Sequence, residues 1–167
     1  MNNLLVIDNA LTDDQCDLLI AEADGKMNDS FGPPRNYSYY EFPATHQLCV
    51  NVGSAIVNEY IKKYPEINST FDPWEVDHFR LKRFDPGQHY EVWHCEHSIR
   101  NPFRLAACIL YLSDHNCGTE FMTGEMVKSK KGRAIMFPAF WTHFHRGQLC
   151  PDHKTRFIMS FYLTYKK

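Results

Sequence analysis

Within Tyr90-Glu91-Val92-Trp93-His94-Cys95-Glu96-His97, a histidine and a glutamate stand two residues apart. On a β-strand successive side chains leave opposite faces, so this spacing predicts that His94 and Glu96 project to the same side. A neutral imidazole and a carboxylate held on one rigid strand are two thirds of a three-ligand metal site. Two histidines and a carboxylate on one face of an Fe(II) ion leave its other positions open to reactants. The third ligand then has to be a histidine far along the chain. His143 and His145, within Phe140-Trp141-Thr142-His143-Phe144-His145-Arg146-Gly147, are the candidates. Strand spacing puts both on one face and does not choose between them. Such ligands bind deprotonated, so metal affinity should fall at acid pH.

The chain around this motif reads as helices first and strands after. Leu4 to Ile7 is a short apolar run suited to an edge strand. Thr12 can cap a helix while Gln15 reaches back to it; Cys16, Leu19, Ile20 and Ala23 follow at helical spacing until Gly25. Gly32-Pro33-Pro34 and Asn36 predict a loop over residues 26–44, which also carries Arg35, Tyr37, Ser38, Tyr39, Tyr40 and Phe42. A second amphipathic helix is expected from about Thr45 to Lys63, with Cys49, Val52, Ile56, Val57 and Tyr60 on one face and Pro65 to stop it.

From Trp74 the period becomes that of strands. Phe79 and Leu81 alternate with Arg80 and Lys82. Turns at Asp85-Pro86-Gly87 and Lys130-Lys131-Gly132 punctuate strands expected at His89–Glu96, Leu105–Leu112, Thr119–Met122, Ala134–Phe137, Trp141–Leu149 and Arg156–Tyr165. This order predicts a mainly β, α+β fold: a double-stranded β-helix, or jelly roll, with N-terminal helices packed on one sheet. By length the 167 residues make one domain, with 1–73 as helical support and lid loop and 74–167 as the jelly-roll core.

Composition narrows the partners. A formal net charge of -2 gives no reason to expect nucleic acid. The longest apolar stretch, Leu105 to Leu112, is too short for a bilayer. The first residues lack a basic region and a long apolar run, so the expectation is a soluble, cytoplasmic protein. The cysteines at 16, 49, 95, 108, 117 and 150 contain no Cys-x-x-Cys pair; they are expected to be reduced, most of them buried apolar fillers. His46, His78, His115 and His153 fall on surface or loop positions. His97 points away from the motif's face, and His89 lies five residues upstream of His94.

Arg156 opens the apolar strand Phe157-Ile158-Met159-Ser160-Phe161-Tyr162. A guanidinium there is costly to bury without an anion, and its planar fork matches a carboxylate. An open metal site beside such an arginine suits a 2-oxo diacid that chelates with one end and meets the arginine with the other.

At this point the chain resembles the 2-oxoglutarate/Fe(II)-dependent dioxygenase superfamily, and most of all its small prolyl 4-hydroxylase-like members. The resemblance rests on Phe84-Asp85-Pro86-Gly87-Gln88-His89-Tyr90, His94-x-Glu96, Arg104 through Tyr111-Leu112, Gly118-Thr119-Glu120-Phe121, Lys131 through Pro138, His145-Arg146-Gly147 and Arg156. These run in the family's order over about half the chain, and Leu5 to Thr12 resembles the family's strand-then-helix opening. The resemblance implies His94, Glu96 and His145 as iron ligands, Arg156 as the partner of the far carboxylate of 2-oxoglutarate, and O2 as co-reactant. It places the third ligand at His145 rather than His143. Tyr111 matches a tyrosine that assists at that carboxylate, although a strand tyrosine is equally at home in a core. Glu96 stands where the family usually has aspartate, and Phe84 where relatives often have tyrosine.

The resemblance implies hydroxylation of a C–H bond, with a peptidyl proline as substrate. A free amino acid or other small molecule is the alternative within that chemistry, and a cupin-like metal module without 2-oxoglutarate the alternative outside it. Arg100, Arg104 and Tyr39 are candidate substrate residues, with the loop at 26–44 as a lid whose aromatics suit an extended peptide.

Overall fold

The computed structural model describes residues 3–29, 36–69 and 72–166. Arg35 and Gly32-Pro33-Pro34, within the expected loop, lie outside them. Strand β1 (Leu5–Ile7) leads into helix α1 (Asp13–Ala23). The capping box forms as read: Gln15 N–H donates to Thr12 Oγ1 at 3.2 Å, and Thr12 N–H donates to Gln15 Oε1 at 2.9 Å. Helix α2 (His46–Lys63) buries Cys49, Gly53, Ile56, Val57 and Tyr60. Glu22 of α1 accepts the N–H groups of Ala44 and Thr45 at the start of α2, and Tyr60 and Tyr64 donate to the carbonyls of Asn3 and Leu4. The two helices and the first strand are thus tied into one layer.

Short strands β2 (Asn28–Asp29) and β3 (Tyr37–Tyr39) precede α2. After it come β4 (Trp74–Phe84), β5 (Arg104–Tyr111), β6 (Gly118–Phe121), β7 (Met126–Lys128), β8 (Ala134–Pro138), β9 (His145–Gly147) and β10 (Arg156–Tyr165). They form a seven-stranded sheet ordered β1-β8-β5-β10-β4-β3-β2 and a three-stranded sheet ordered β7-β6-β9, with every pairing antiparallel. Gly118 allows the close β6–β7 pairing: a Cβ there would fall 1.9 Å from the Val127 carbonyl oxygen. The fold is mainly β with two helices.

Several expectations need correction. Residues 37–39, read as loop, pair with β4 and extend the large sheet, so the first 73 residues supply strands as well as helices. His89–Glu96 is not a strand: beside β9 it makes an isolated bridge between His94 and His145 and one further bond, from Gly147 N–H to the Tyr90 carbonyl. The strand expected from Trp141 begins as a short 3-10 turn, Trp141–His143, and pairs only at His145–Gly147. Strand β7 was not expected. Among the described residues no helix is long and apolar enough to cross a membrane.

The central strands of the large sheet sort their side chains by alternation. Leu81, Cys108, Leu110, Met159, Phe161 and Leu163 join the large core with the helices. The residues out of phase with them, including Lys82, Phe84, Ile109, Tyr111, Arg156, Ile158, Ser160 and Tyr162, line a cavity on the other face.

Candidate metal centre

His94 and His145 meet through their backbones. His94 N–H donates to the His145 carbonyl at 3.1 Å and His145 N–H returns a bond at 2.9 Å. The rings then lie 4.3 Å apart, centroid to centroid. The N–H groups of Glu96 and His97 both donate to the carbonyl of Ala139, which turns the Glu96 carboxylate back toward the histidines. Glu96 Oε1 stands 3.4 Å from His94 Nε2 and 3.8 Å from His145 Nε2. One donor atom from each residue lies within 4.8 Å of the others, a span one cation can bridge.

The tautomers suit a metal as well. His94 Nδ1 lies 2.8 Å from the Val92 carbonyl oxygen, and His145 Nδ1 lies 3.0 Å from that of His143. A carbonyl oxygen only accepts, so each Nδ1 carries the proton and each Nε2 keeps its lone pair toward Glu96. Burial and the neighbouring His94 push the His145 pKa down to about 4. Burial works to raise the Glu96 pKa, but Lys82 and, when the imidazoles are protonated in acid, a bond from His94 and the charges of His94 and His145 bring it down to about 2. Near neutral pH His145 is therefore a neutral imidazole and Glu96 a carboxylate, the forms in which they bind a divalent metal.

His143 lies outside this group. It sits in the 3-10 turn with Nδ1 against Thr142 Oγ1. The two residues were read as sharing a face, but the turn breaks the alternation. His97 stacks on Phe140 and faces away, as its position in the motif predicts.

Arg156 reaches the same cavity from β10 and is 4% exposed. Its Nη1 donates to the Gln148 carbonyl at 3.1 Å and to Cys117 Sγ at 3.1 Å. Its Nε has no hydrogen-bond partner among the described residues. Gly147 leaves room at the guanidinium: a Cβ there would come within 3.2 Å of Nη2. Half of the fork is anchored and the other half is free to take an anion, which fits a carboxylate-bearing cosubstrate. Phe84 lies against the guanidinium, 4.8 Å from its carbon, and offers no hydrogen bond. Tyr111 lines the cavity too, with its hydroxyl on Thr119 Oγ1 at 2.8 Å, and burial raises its pKa to about 12.

The remaining candidates separate. Arg104 donates to Glu96 Oε2 at 3.2 Å and lies over the Tyr162 ring at 3.6 Å. It lines the outer cleft that leads from the histidines past Tyr40, Arg80, Lys82 and Tyr90. Arg100 lines the next hollow outward. Tyr39 does not serve the cleft: it is buried in the large core against Phe42, and alternation along β3 and beyond gives the cleft position to Tyr40.

Cysteines 117 and 150 are joined as a disulfide beside Arg156, contrary to the expectation of reduced thiols; Cys16, Cys49 and Cys108 are free and buried, as expected. His115, read as a surface or loop residue, lies in a loop but is buried there between Ser113 and Asp152. Sequence reading also passed over Lys82 and Thr119 as cavity residues. The signal for Lys82 was present in the alternation of β4, which separates two faces without saying that one of them lines a cavity.

No family model matches the sequence, and no curated protein does. Solved structures do match. A viral collagen prolyl hydroxylase from Paramecium Bursaria Chlorella virus-1, in complex with 2-oxoglutarate, is similar over 99% of this chain and 97% of that one, at 21% identity and a TM-score of 0.75. A prolyl hydroxylase from Trichoplax adhaerens, bound to a hypoxia inducible factor peptide fragment, is similar over 99% and 84%, at 12% identity and a TM-score of 0.71. HygX from Streptomyces hygroscopicus, with nickel, 2-oxoglutarate and hygromycin B bound, is similar over 99% and 84%, at 11% identity and a TM-score of 0.66. At these identities the likeness is one of architecture: this chain has the fold of those prolyl hydroxylases and of HygX.

Proposed function

We propose that the chain is a 2-oxoglutarate- and Fe(II)-dependent dioxygenase that hydroxylates a C–H bond, with a peptidyl proline as its substrate. One observation carries the reading. Three metal-type donors and a buried arginine with an unsatisfied N–H line a single cavity. A cupin-like metal module would have no use for Arg156, whose buried charge needs an anion.

The strand orders support a double-stranded β-helix as the scaffold. Strands β4, β10, β5 and β8 make its broad wall, β9, β6 and β7 the facing one, and the His94 bridge stands beside β9 where a fourth strand would run. In this reading His94, Glu96 and His145 would hold the ion. Arg156 orients the diacid through its free N–H groups, and Tyr111 and Thr119 sit beside it. Phe84 and Ile158 line the same cavity and keep bulk water from it. When bound, the metal and 2-oxoglutarate supply the oxidising power, with O2 consumed and succinate and CO2 released.

The prolyl hydroxylase neighbours and the aromatic lining of the outer cleft, Tyr40, Tyr90 and Tyr162, favour a peptide. HygX, solved with hygromycin B, keeps a small molecule as the second reading. The test is succinate release from 2-oxoglutarate by protein loaded with Fe(II) in air, followed by mass spectrometry of proline peptides and free amino acids. Succinate that depends on Fe(II), with one oxygen gained by a peptide, is the expected result. Metal-loaded protein that is neither stabilised by 2-oxoglutarate nor able to form succinate would leave only a metal-binding module.

A further inference from the structure

Strand β4 sends into the cleft a cation that the proposed metal and diacid do not use. Lys82 is 8% exposed and shares its face of the strand with Arg80 and Phe84. It lines both the inner cavity that holds Arg156 and the outer cleft that holds Tyr40 and Arg104, so it stands where the two join. Among the described residues its ammonium has no hydrogen bond or ion pair; the Tyr90 ring lies 5.8 Å away. Burial, with Arg80 adding to it, lowers its pKa to about 8, so it still carries its proton at neutral pH. An isolated buried ammonium is costly to keep, and a carboxylate is the group that offsets the cost.

The neighbouring charges do not supply one. Arg80 and Arg104 are cations themselves, and both oppose the charge on Lys82. Arg80 is held by neutral groups, Ser38 Oγ at 2.8 Å and Asn36 Oδ1 at 3.4 Å, and lies 5.3 Å from the Tyr40 ring. The carboxylate facing Lys82 is Glu96, already engaged by Arg104 and His94. Farther out, Asp77 is paired with His78. With a divalent ion, one carboxylate ligand, a doubly charged diacid and Arg156, the inner site is neutral. Arg80 and Lys82, beside Arg104 on its Glu96 partner, then leave a net positive charge facing the outer cleft. A neutral substrate covering Lys82 would strip water from its ammonium and return no charge, whereas a carboxylate would replace that water with charge-assisted hydrogen bonds.

We propose that Lys82, flanked by Arg80 and Arg104, receives a carboxylate of the substrate, so that the dioxygenase acts on an anionic molecule. The carboxylate comes either from a free amino acid or from an acidic side chain next to the oxidised residue of a peptide. The inference rests on the dioxygenase reading and narrows its substrate.

Calorimetry under anaerobic conditions tests it, on protein loaded with Fe(II) and then titrated with 2-oxoglutarate. Two probe pairs follow: L-proline against L-prolinamide, and N-acetylated, C-amidated Glu-Pro-Glu against Gln-Pro-Gln. The expected result is that the carboxylate member of one pair binds at least about tenfold tighter than its amide, the value of one charge-assisted bond. The pair that shows it identifies the source. Lys82→Met should abolish the preference and Lys82→Arg should keep it. The methionine variant should melt no lower than the parent, because it removes a buried unpaired charge. Carboxylate and amide binding alike in both pairs, or a preference that survives Lys82→Met, overturns the assignment. A carboxylate preference without 2-oxoglutarate binding would sink the dioxygenase reading and leave the Lys82 site standing; 2-oxoglutarate binding without the preference would do the reverse.

Discussion

The two faces of the large sheet are made by the same strands and obey different rules. On β10, Met159, Phe161 and Leu163 are fully buried against the helices. Out of phase with them, Arg156, Ser160 and Tyr162 line the cleft. On β4, Leu81 lies in the core and the next residue, Lys82, faces the cleft. The helix side is apolar and closely packed, which is how a sheet of this size gains its stability. The cleft side buries an arginine, a lysine and a histidine beside a half-buried glutamate, and its cations oppose folding unless an anion is bound to them. Stability and chemistry are thus divided between the faces, one residue out of phase, and substitutions should be able to separate them.

The largest expected effect is on the core face. Phe161→Ala should cost about 3–5 kcal/mol, since the ring is fully buried and its cavity cannot collapse between sheet and helix. Denaturant titration reads the cost, and activity per folded molecule should be retained. A variant that folds but loses turnover would break the separation.

Next is acid sensitivity, to which the cleft contributes through His145 and Glu96. His145 titrates near 4 in the folded chain against 6.5 when free, because burial and His94 disfavour its charge. Between those values the unfolded chain takes up the proton and the folded one does not, so stability falls as pH drops from about 6.5 to 4, by on the order of 2–3 kcal/mol. Glu96 has the opposite charge type and a depressed pKa, so its contribution is present above 4.5 and is lost as pH falls toward 2. Thermal melting of metal-free protein against pH should show both windows. His145→Gln should flatten the first; an unchanged slope would mean that the acid-labile group lies elsewhere.

A smaller effect is expected at the anion end. Arg156→Met should raise the 2-oxoglutarate KM by about ten- to a hundredfold, the worth of one or two charged hydrogen bonds, while metal affinity measured by competition with a chelator stays within about threefold. Equal losses in both would show that the arginine supports the metal ligands instead of the diacid.

How far the sequence carried this picture depends on the range of the interactions involved. The capping box at Thr12 and Gln15 was legible because it spans a single turn, and β10 because ten residues run without a turn former. The two residues of the metal motif come together for a different reason from the one given. His94 and Glu96 do point together, but no strand holds them there; a bridge to His145 and the Ala139 carbonyl do. Those partners lie more than 40 residues away, and spacing cannot show them. Alternation told Leu81 from Lys82 without telling which face meets water, and the same ambiguity exchanged Tyr39 for Tyr40. Joining Cys117 to Cys150 and burying His115 against Asp152 both require the return of a distant loop.

The smallest expected effect probes the point where the two sheets come closest around the arginine. Gly147, on β9, faces Arg156 Nη2 and the backbone of Tyr90; a Cβ there would stand 3.2 Å from the first and 3.4 Å from the second. Neither is a clash that unfolds the chain, because the guanidinium can retreat by a few tenths of an ångström. Its backbone angle lies outside the left-handed region, so alanine gains about 0.4–1 kcal/mol from the unfolded state, which offsets the crowding. Gly147→Ala should therefore leave the melting temperature within about two degrees of the parent. The retreat falls on the N–H groups proposed to hold the diacid, so the 2-oxoglutarate KM should rise by about three- to tenfold, with little change in kcat. A melting shift without a KM shift would mean that the close approach serves only packing. A KM shift without a melting shift would show that on this face the fit around the diacid is held to tenths of an ångström, a tolerance that the apolar face, with its interchangeable methyl groups, has no need to meet.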